Sequence, residues 1–171
     1  MTGRMRIFLV AALAAVFAPD SVRAQDVTDA ELKGEMRFHG GEHAAAHDWQ
    51  VLTGDVTCDG DADKVAGYVS HDNPDGRRFL LVVAAREEGQ LVSESVVVPF
   101  DSANQAGLCG TGTPPPKMSL EQFTDEEARE MLGIEGACPL AIIVEDGMCD
   151  LHHFFWVPEW EEERKLIFFR N

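Results

Sequence analysis

Four cysteines, Cys58, Cys109, Cys138 and Cys149, constrain this chain more than any other feature. Their number is even, and they follow an N-terminal stretch built like an export leader. Arg4 and Arg6 precede the apolar run IFLVAALAAVFA at 7–18, Pro19 and Asp20 end it, and Val22-Arg23-Ala24 has the small-residue form of a cleavage site. That is the pattern of a secretory signal peptide. The run is too short to span a bilayer, which takes about 20 apolar residues. The expectation is a leader at 1–24, removed on export to the periplasm or the medium, and a single domain over 25–171. In an oxidising compartment four cysteines imply two disulfides. No two of them stand at CxxC spacing, so a cysteine zinc site is not indicated.

Turn and strand signals fill most of the remaining chain. Thr28-Asp29-Ala30-Glu31 is a capping box that starts a helix through Leu32 and Met36. Gly40-Gly41 interrupts it, and a second helical piece runs over 42–49. WQVLTGDV (49–56), KVAGYVS (64–70), RRFLLVVAARE (77–87) and LVSESVVVPF (91–100) read as strands, the last two joined by a tight turn at 88–90. Residues 101–118, with three glycines and three consecutive prolines, read as a loop. Thr124 to Glu127 forms a second capping box, with Gly133 ending the helix. PLAIIVEDG, MCDLHHFFWV and RKLIFFR follow as strands.

Asp146-Gly147 signals a two-residue hairpin turn, which would set Cys149 opposite Val144 and away from Cys138. The favoured pairing is accordingly Cys109–Cys138 with Cys58–Cys149. Together these features predict an α+β fold: an antiparallel sheet of about six strands with two short helical segments packed on it, stapled by disulfides.

The chain carries a net charge of −16. Such a surface repels nucleic acid and anionic membranes and suits cations or basic partners. The acidity is densest in GDVTCDGDADK at 54–64. Counting Asp55 as position 1 puts Thr57, Asp59, Asp61 and Asp63 at 3, 5, 7 and 9, with Gly60 at the sharp turn. Calcium takes six to eight hard oxygens, and alternate side chains of a tight loop supply them; magnesium demands stricter octahedral geometry. The EF-hand template fails, because its twelfth position should be Glu and is Ala66.

The shorter pattern D-x-[DN]-x-D-G-x-x-D resembles the calcium loops of FG-GAP and VCBS-type repeats of integrin-like propellers. That resemblance implies side-chain ligands at Asp55, Asp59 and Asp63 and a carbonyl ligand at Asp61, with the ion in a structural role. Thr57 departs from the usual Asn or Asp, and Cys58 replaces a common glycine. The likeness covers about ten residues in one copy, and a propeller needs several blades, so the loop carries over and the fold does not.

His39, His43 and His47 are spaced by four and would share a face of an unbroken helix. They make a zinc or copper site the alternative metal reading. His152-His153 falls on a strand, where neighbours point to opposite sides. Ser70, Ser93, Ser95, Ser102 and Ser119 lie outside any GxSxG elbow. With no visible nucleophile–base motif, the sequence predicts a binding domain rather than an enzyme. A third reading is an inhibitor of a basic extracellular enzyme such as a lysozyme, suggested by the aromatic among carboxylates in EWEEE at 159–163.

Overall fold

The computed structural model describes residues 26–46, 48–70, 76–103, 106–149, 151–161 and 164–170, without the side chains of 159, 161 and 164. The leader expected at 1–24, together with His47 and His71, therefore lies outside the described residues. In chain order the elements are α1 (Asp29–Ala46), β1 (Gln50–Gly54), β2 (Asp63–Ser70), β3 (Arg78–Glu87), β4 (Gln90–Pro99), β5 (Lys117–Gln122), α2 (Asp125–Leu132), β6 (Leu140–Glu145), β7 (His152–Glu161) and β8 (Arg164–Arg170). They build two four-stranded antiparallel sheets, ordered β1-β2-β3-β4 and β5-β6-β7-β8.

This corrects the expected α+β fold with a single sheet of about six strands: the protein is mostly β, a two-sheet sandwich with a helix on each outer face. Strand β3 shows why. Phe79, Leu81 and Val83 enter a central core shared with Ile142, Val144, Phe154 and Trp156 of the second sheet. Their neighbours Leu80, Val82 and Ala84 face α1, packing on Leu32, Met36 and Ala44. A strand buried on both faces reads as an unbroken apolar run. The second sheet repeats this arrangement, with Ala141, Ile143 and Phe155 turned toward Ala128 of α2. Strand β5 went unrecognised because it offers only Met118 and Leu120 as apolar residues, directly after the prolines.

Both helix starts follow the capping-box logic. Thr28 N–H donates to Glu31 Oε2 at 2.9 Å and Glu31 N–H to Thr28 Oγ1 at 3.2 Å; Thr124 and Glu127 repeat the exchange at 2.8 and 3.2 Å. Gly133 ends α2 at φ 69°. Gly41, at φ 76° and ψ −176°, kinks α1 as expected. Where β2 passes under the core, Gly67 is required by space: a Cβ there would lie 2.7 Å from Phe79 Cζ.

The open edges of the sandwich are closed by side chains acting as strand partners. At one seam Gln50 of β1 accepts from Met118 N–H at 3.0 Å and donates to Pro116 O, meeting β5. At the opposite seam Glu94 of β4 accepts the peptide N–H groups of Lys165 and Leu166 of β8, at 2.6 and 2.9 Å.

The disulfides are Cys58–Cys138 and Cys109–Cys149, with Cα separations of 5.6 and 5.5 Å. Both differ from the favoured Cys58–Cys149 and Cys109–Cys138. The reason lies at Asp146. The expected two-residue turn does not form; Val144 pairs with His152, leaving a longer connection. Asp146 organises it, accepting from Cys109, Gly110, Met148 and Cys149 N–H at 2.6, 2.7, 2.9 and 3.0 Å. Burial raises the Asp146 carboxyl, but these donors outweigh it and hold the group below its usual value. The same bonds bring Cys149 beside Cys109, leaving Cys58 of the β1–β2 loop to reach Cys138 before β6.

Candidate functional site

The Asp-rich stretch forms the connection between β1 and β2, closed at its base by the pairing of Gly54 with Asp63. Its carboxylates first serve the loop itself. Asp55 Oδ2 accepts Gly60 N–H at 3.1 Å, Asp59 Oδ1 accepts Asp61 N–H at 2.8 Å, and Asp63 Oδ2 accepts Thr57 N–H at 2.9 Å. Cys58 sits at φ 60°, in the left-handed region that glycine adopts without strain. It is held there by its disulfide to Cys138.

Asp63 is fully buried and Thr57 is 5% exposed. Asp55 Oδ1, Thr57 Oγ1 and Asp63 Oδ1 are buried with no hydrogen-bond partner. Burial is the main reason the Asp63 carboxyl is pushed up to about 6; Thr57 opposes the rise, and Asp59 and Asp55 add to it. The Thr57 hydroxyl is near enough to favour the Asp63 charge without meeting hydrogen-bond geometry.

Of the five residues expected to bind metal, three thus turn unmatched oxygens inward. Asp59 is exposed and Asp61 partly so. Among the described residues, no three His, Cys, Asp or Glu side chains form a ready-made metal centre. An ion here would use oxygens of other kinds as well, the Thr57 hydroxyl and the Asp61 carbonyl. An open cavity of about 710 Å³ adjoins the loop, with Thr57, Cys58, Asp125, Glu126, Arg129 and Glu135 among its lining.

The histidines separate. His39 and His43 stand on either side of the Gly41 kink in α1. His39 turns to β4 instead: Nε2 lies 2.9 Å from Ser93 Oγ and Nδ1 2.9 Å from Ser95 Oγ. Ser93 Oγ in turn donates to Glu35 Oε2. Burial lowers His39 below the ordinary histidine value, with Glu35 and Glu94 opposing. This cluster opens into a second cavity of about 600 Å³ at the β4–β8 seam. His152 and His153 point to opposite faces as expected of strand neighbours; His152 stacks between Phe154 and Phe168, and His153 meets Phe123 and Phe169.

Sequence reading overlooked Glu35, Ser93 and Ser95 as a group with His39. The signal was present in two halves: Glu35 and His39 share a helix face at i,i+4, and Ser93 and Ser95 share a strand face at period two. Only the packing of α1 on sheet 1 joins them. The EWEEE segment at 159–163 is the feature that suggested an inhibitor. Its first residues extend β7 through Glu161, which pairs with Arg164 of β8, and Trp160 is 44% exposed.

No known protein family matches the chain, and neither curated proteins nor solved structures give a match. Among the described residues, no helix is long and apolar enough to cross a membrane.

Proposed function

We propose that this chain is an exported, disulfide-bonded binding domain whose Asp55–Asp63 loop holds a structural calcium ion. The observation that carries the reading is the set of buried, unpartnered oxygens on Asp55, Thr57 and Asp63. A buried polar atom without a partner costs about 1–3 kcal/mol, and a hard cation bound among these oxygens would offset that cost. Asp55, Thr57 and Asp63 would hold it, with Asp59 and the Asp61 carbonyl completing the oxygen set. When bound, the ion supplies positive charge that neutralises the crowded carboxylates and fixes the β1–β2 connection. The disulfides suit the oxidising compartment to which the leader pattern directs the chain.

The test is a melting curve with calcium. With a dissociation constant on the order of 10⁻⁴ M, typical of extracellular sites, 10 mM calcium stabilises by about 2.7 kcal/mol. Magnesium raises the melting temperature less, and Asp59→Ala removes the calcium response. An unchanged wild-type melting curve at millimolar calcium refutes the reading.

One observation favours a basic partner as what the domain binds. Asp125, Glu126 and Glu135 line the cavity beside the loop, on a chain of net charge −16. A cationic extracellular enzyme is the fitting class, with lysozyme as probe. Binding at low salt that weakens steeply with added salt supports this; no binding at low salt counts against it. The zinc or copper alternative draws less support, since both ring nitrogens of His39 are engaged by serines.

A further inference from the structure

Proton accounting fixes the direction of the His39 network. A carboxylate only accepts, so the hydrogen of Ser93 Oγ goes to Glu35 Oε2. Ser93 Oγ can then only accept from His39, which makes Nε2 the protonated ring nitrogen at its 2.9 Å contact. Nδ1 is left with its lone pair, 2.9 Å from Ser95 Oγ, and accepts the Ser95 hydrogen. The chain runs Ser95 to His39 to Ser93 to Glu35, from a hydroxyl to an anion. This is the arrangement of an activated nucleophile: a hydroxyl on a base, and the base oriented by further groups.

The surroundings suit the role. The cluster sits with Val97 on the α1 face of β4 at the β4–β8 seam; around the edge of that strand the cavity reaches the core-side residues Val96, Val98, Phe154 and Leu166, and Phe168 of β8. Phe38 packs edge-on against the His39 ring at 4.9 Å and is 80% exposed, while Val97 in the lining is 48% exposed. Exposed apolar side chains around a polar, hydrogen-bonded centre fit a substrate with an apolar body and one reactive group.

We propose that Ser95 is a nucleophile activated by His39, and that the β4–β8 cavity accepts esters with an apolar acyl group. Ser95 Oγ attacks the ester carbonyl carbon while its proton passes to His39 Nδ1. The imidazolium keeps its Nε2 proton on Ser93, with Glu35 and Glu94 as the nearby negative charges. The adduct collapses with cleavage of the carbon–alkoxy bond, and the alcohol leaves with the Nδ1 proton. Water attacks the acyl–Ser95 ester, His39 takes its proton and returns it to Ser95 Oγ, and the acid departs. The sum is ester plus water to acid plus alcohol. Ser93 and Glu35 are positioning residues, since they act through His39. The site lies at β4, the edge of its sheet opposite β1. It stands whether or not the Asp loop takes an ion, and it departs from the expectation of a chain without catalysis.

The experiment treats the wild-type protein with an alkyl fluorophosphonate and maps the adduct by peptide mass spectrometry. It also follows hydrolysis of p-nitrophenyl butyrate. One adduct on Ser95 is expected, with hydrolysis reduced at least tenfold by Ser95→Ala or His39→Gln and unaffected by Ser119→Ala on β5. Labelling slows as the medium is acidified and His39 is protonated. Ser93→Ala still labels, but the pH of half-maximal rate moves, because Nε2 has lost its acceptor; a merely structural serine leaves that pH unchanged. No Ser95 adduct on folded wild-type protein overturns the proposal, whatever the variants do. Labelling that persists after Ser95→Ala overturns it equally.

Discussion

Replacing Asp63 by Asn isolates the strongest electrostatic perturbation in the loop. Asp63 is fully buried, and its carboxyl is pushed from 3.8 to about 6, chiefly by burial. A displacement of that size corresponds to about 3 kcal/mol. The folded-state value lies above the unfolded one, so the folded state holds the proton more tightly. Its stabilising contribution is complete below pH 3.8 and is lost as pH rises through about 6. Other groups oppose this trend. Glu31 and Glu127 are lowered chiefly by hydrogen bonds from Thr28 and Thr124, Asp146 is lowered despite burial by its four N–H donors, and His39 and His152 are lowered chiefly by burial. All of these favour the folded state as pH rises, so the wild-type profile alone mixes both signs.

The difference between wild type and Asp63→Asn removes that mixture. Asn retains an acceptor for Thr57 N–H, and it does not titrate. In chelator, the wild type should lose about 2.4 kcal/mol relative to the variant between pH 4 and pH 7. For a chain of this size that is a relative fall in melting temperature of about 5–10 °C. Calcium at millimolar concentration should flatten the profile, because the ion replaces the proton as the partner of the carboxylate. Calorimetric melts at half-unit pH steps give the answer. Parallel wild-type and variant profiles in chelator would refute the argument, since they would mean Asp63 titrates as an exposed carboxylate.

The remaining predictions concern the sandwich itself. Cys58 and Cys138 are separated by 80 residues and Cys109 and Cys149 by 40; loop-closure entropy then assigns about 4.5 and about 4 kcal/mol, so serine pairs at 58/138 should lower the denaturation midpoint slightly more than at 109/149. Gly67→Ala should destabilise by about 1–3 kcal/mol through overpacking against Phe79, although strand propensity alone ranks the change as favourable, and urea melts decide the sign. Glu94→Ala strands the N–H groups of Lys165 and Leu166, costing about 1–3 kcal/mol for each group left buried without a partner. Hydrogen exchange at those two amides should speed up ahead of the core strands; uniform exchange would show that the seam is not held by Glu94.

How far the sequence could be read depended on the range of the interaction. The two capping boxes, the Gly41 break and the Gly133 cap are local, each settled by residues within a turn, and each was legible. The turn at Glu88-Gly89 was legible for the same reason: both residues take positive φ, 51° and 80°, as a two-residue hairpin requires. The number of sheets was not legible. The runs FLLVVAA and LAIIV announce burial on both faces, but a strand covered by a helix and a strand covered by another sheet present the same apolar side chains. Period two divides Phe79 from Leu80; it does not say which of them meets Phe154.

The disulfides and the serine site failed to show for a related reason. Asp146-Gly147 carries the dipeptide of a tight turn, and local turn chemistry argued for one. The Asp146 carboxylate instead gathers four peptide N–H groups, two of them at Cys109 and Gly110, well upstream in the chain. A bond network of that range overrides the local turn preference, and Cys149 goes where the network takes it. Glu35 and His39 on α1 and Ser93 and Ser95 on β4 are ordinary residues in their own elements, and more than fifty positions separate the two pairs in sequence. The Asp loop is the opposite case: its residues are contiguous, so its pattern was visible at once, while the burial of Asp63 depends on strand β2 lying against the core. What makes that carboxylate unusual is the burial, and burial is a property of the sandwich rather than of the loop.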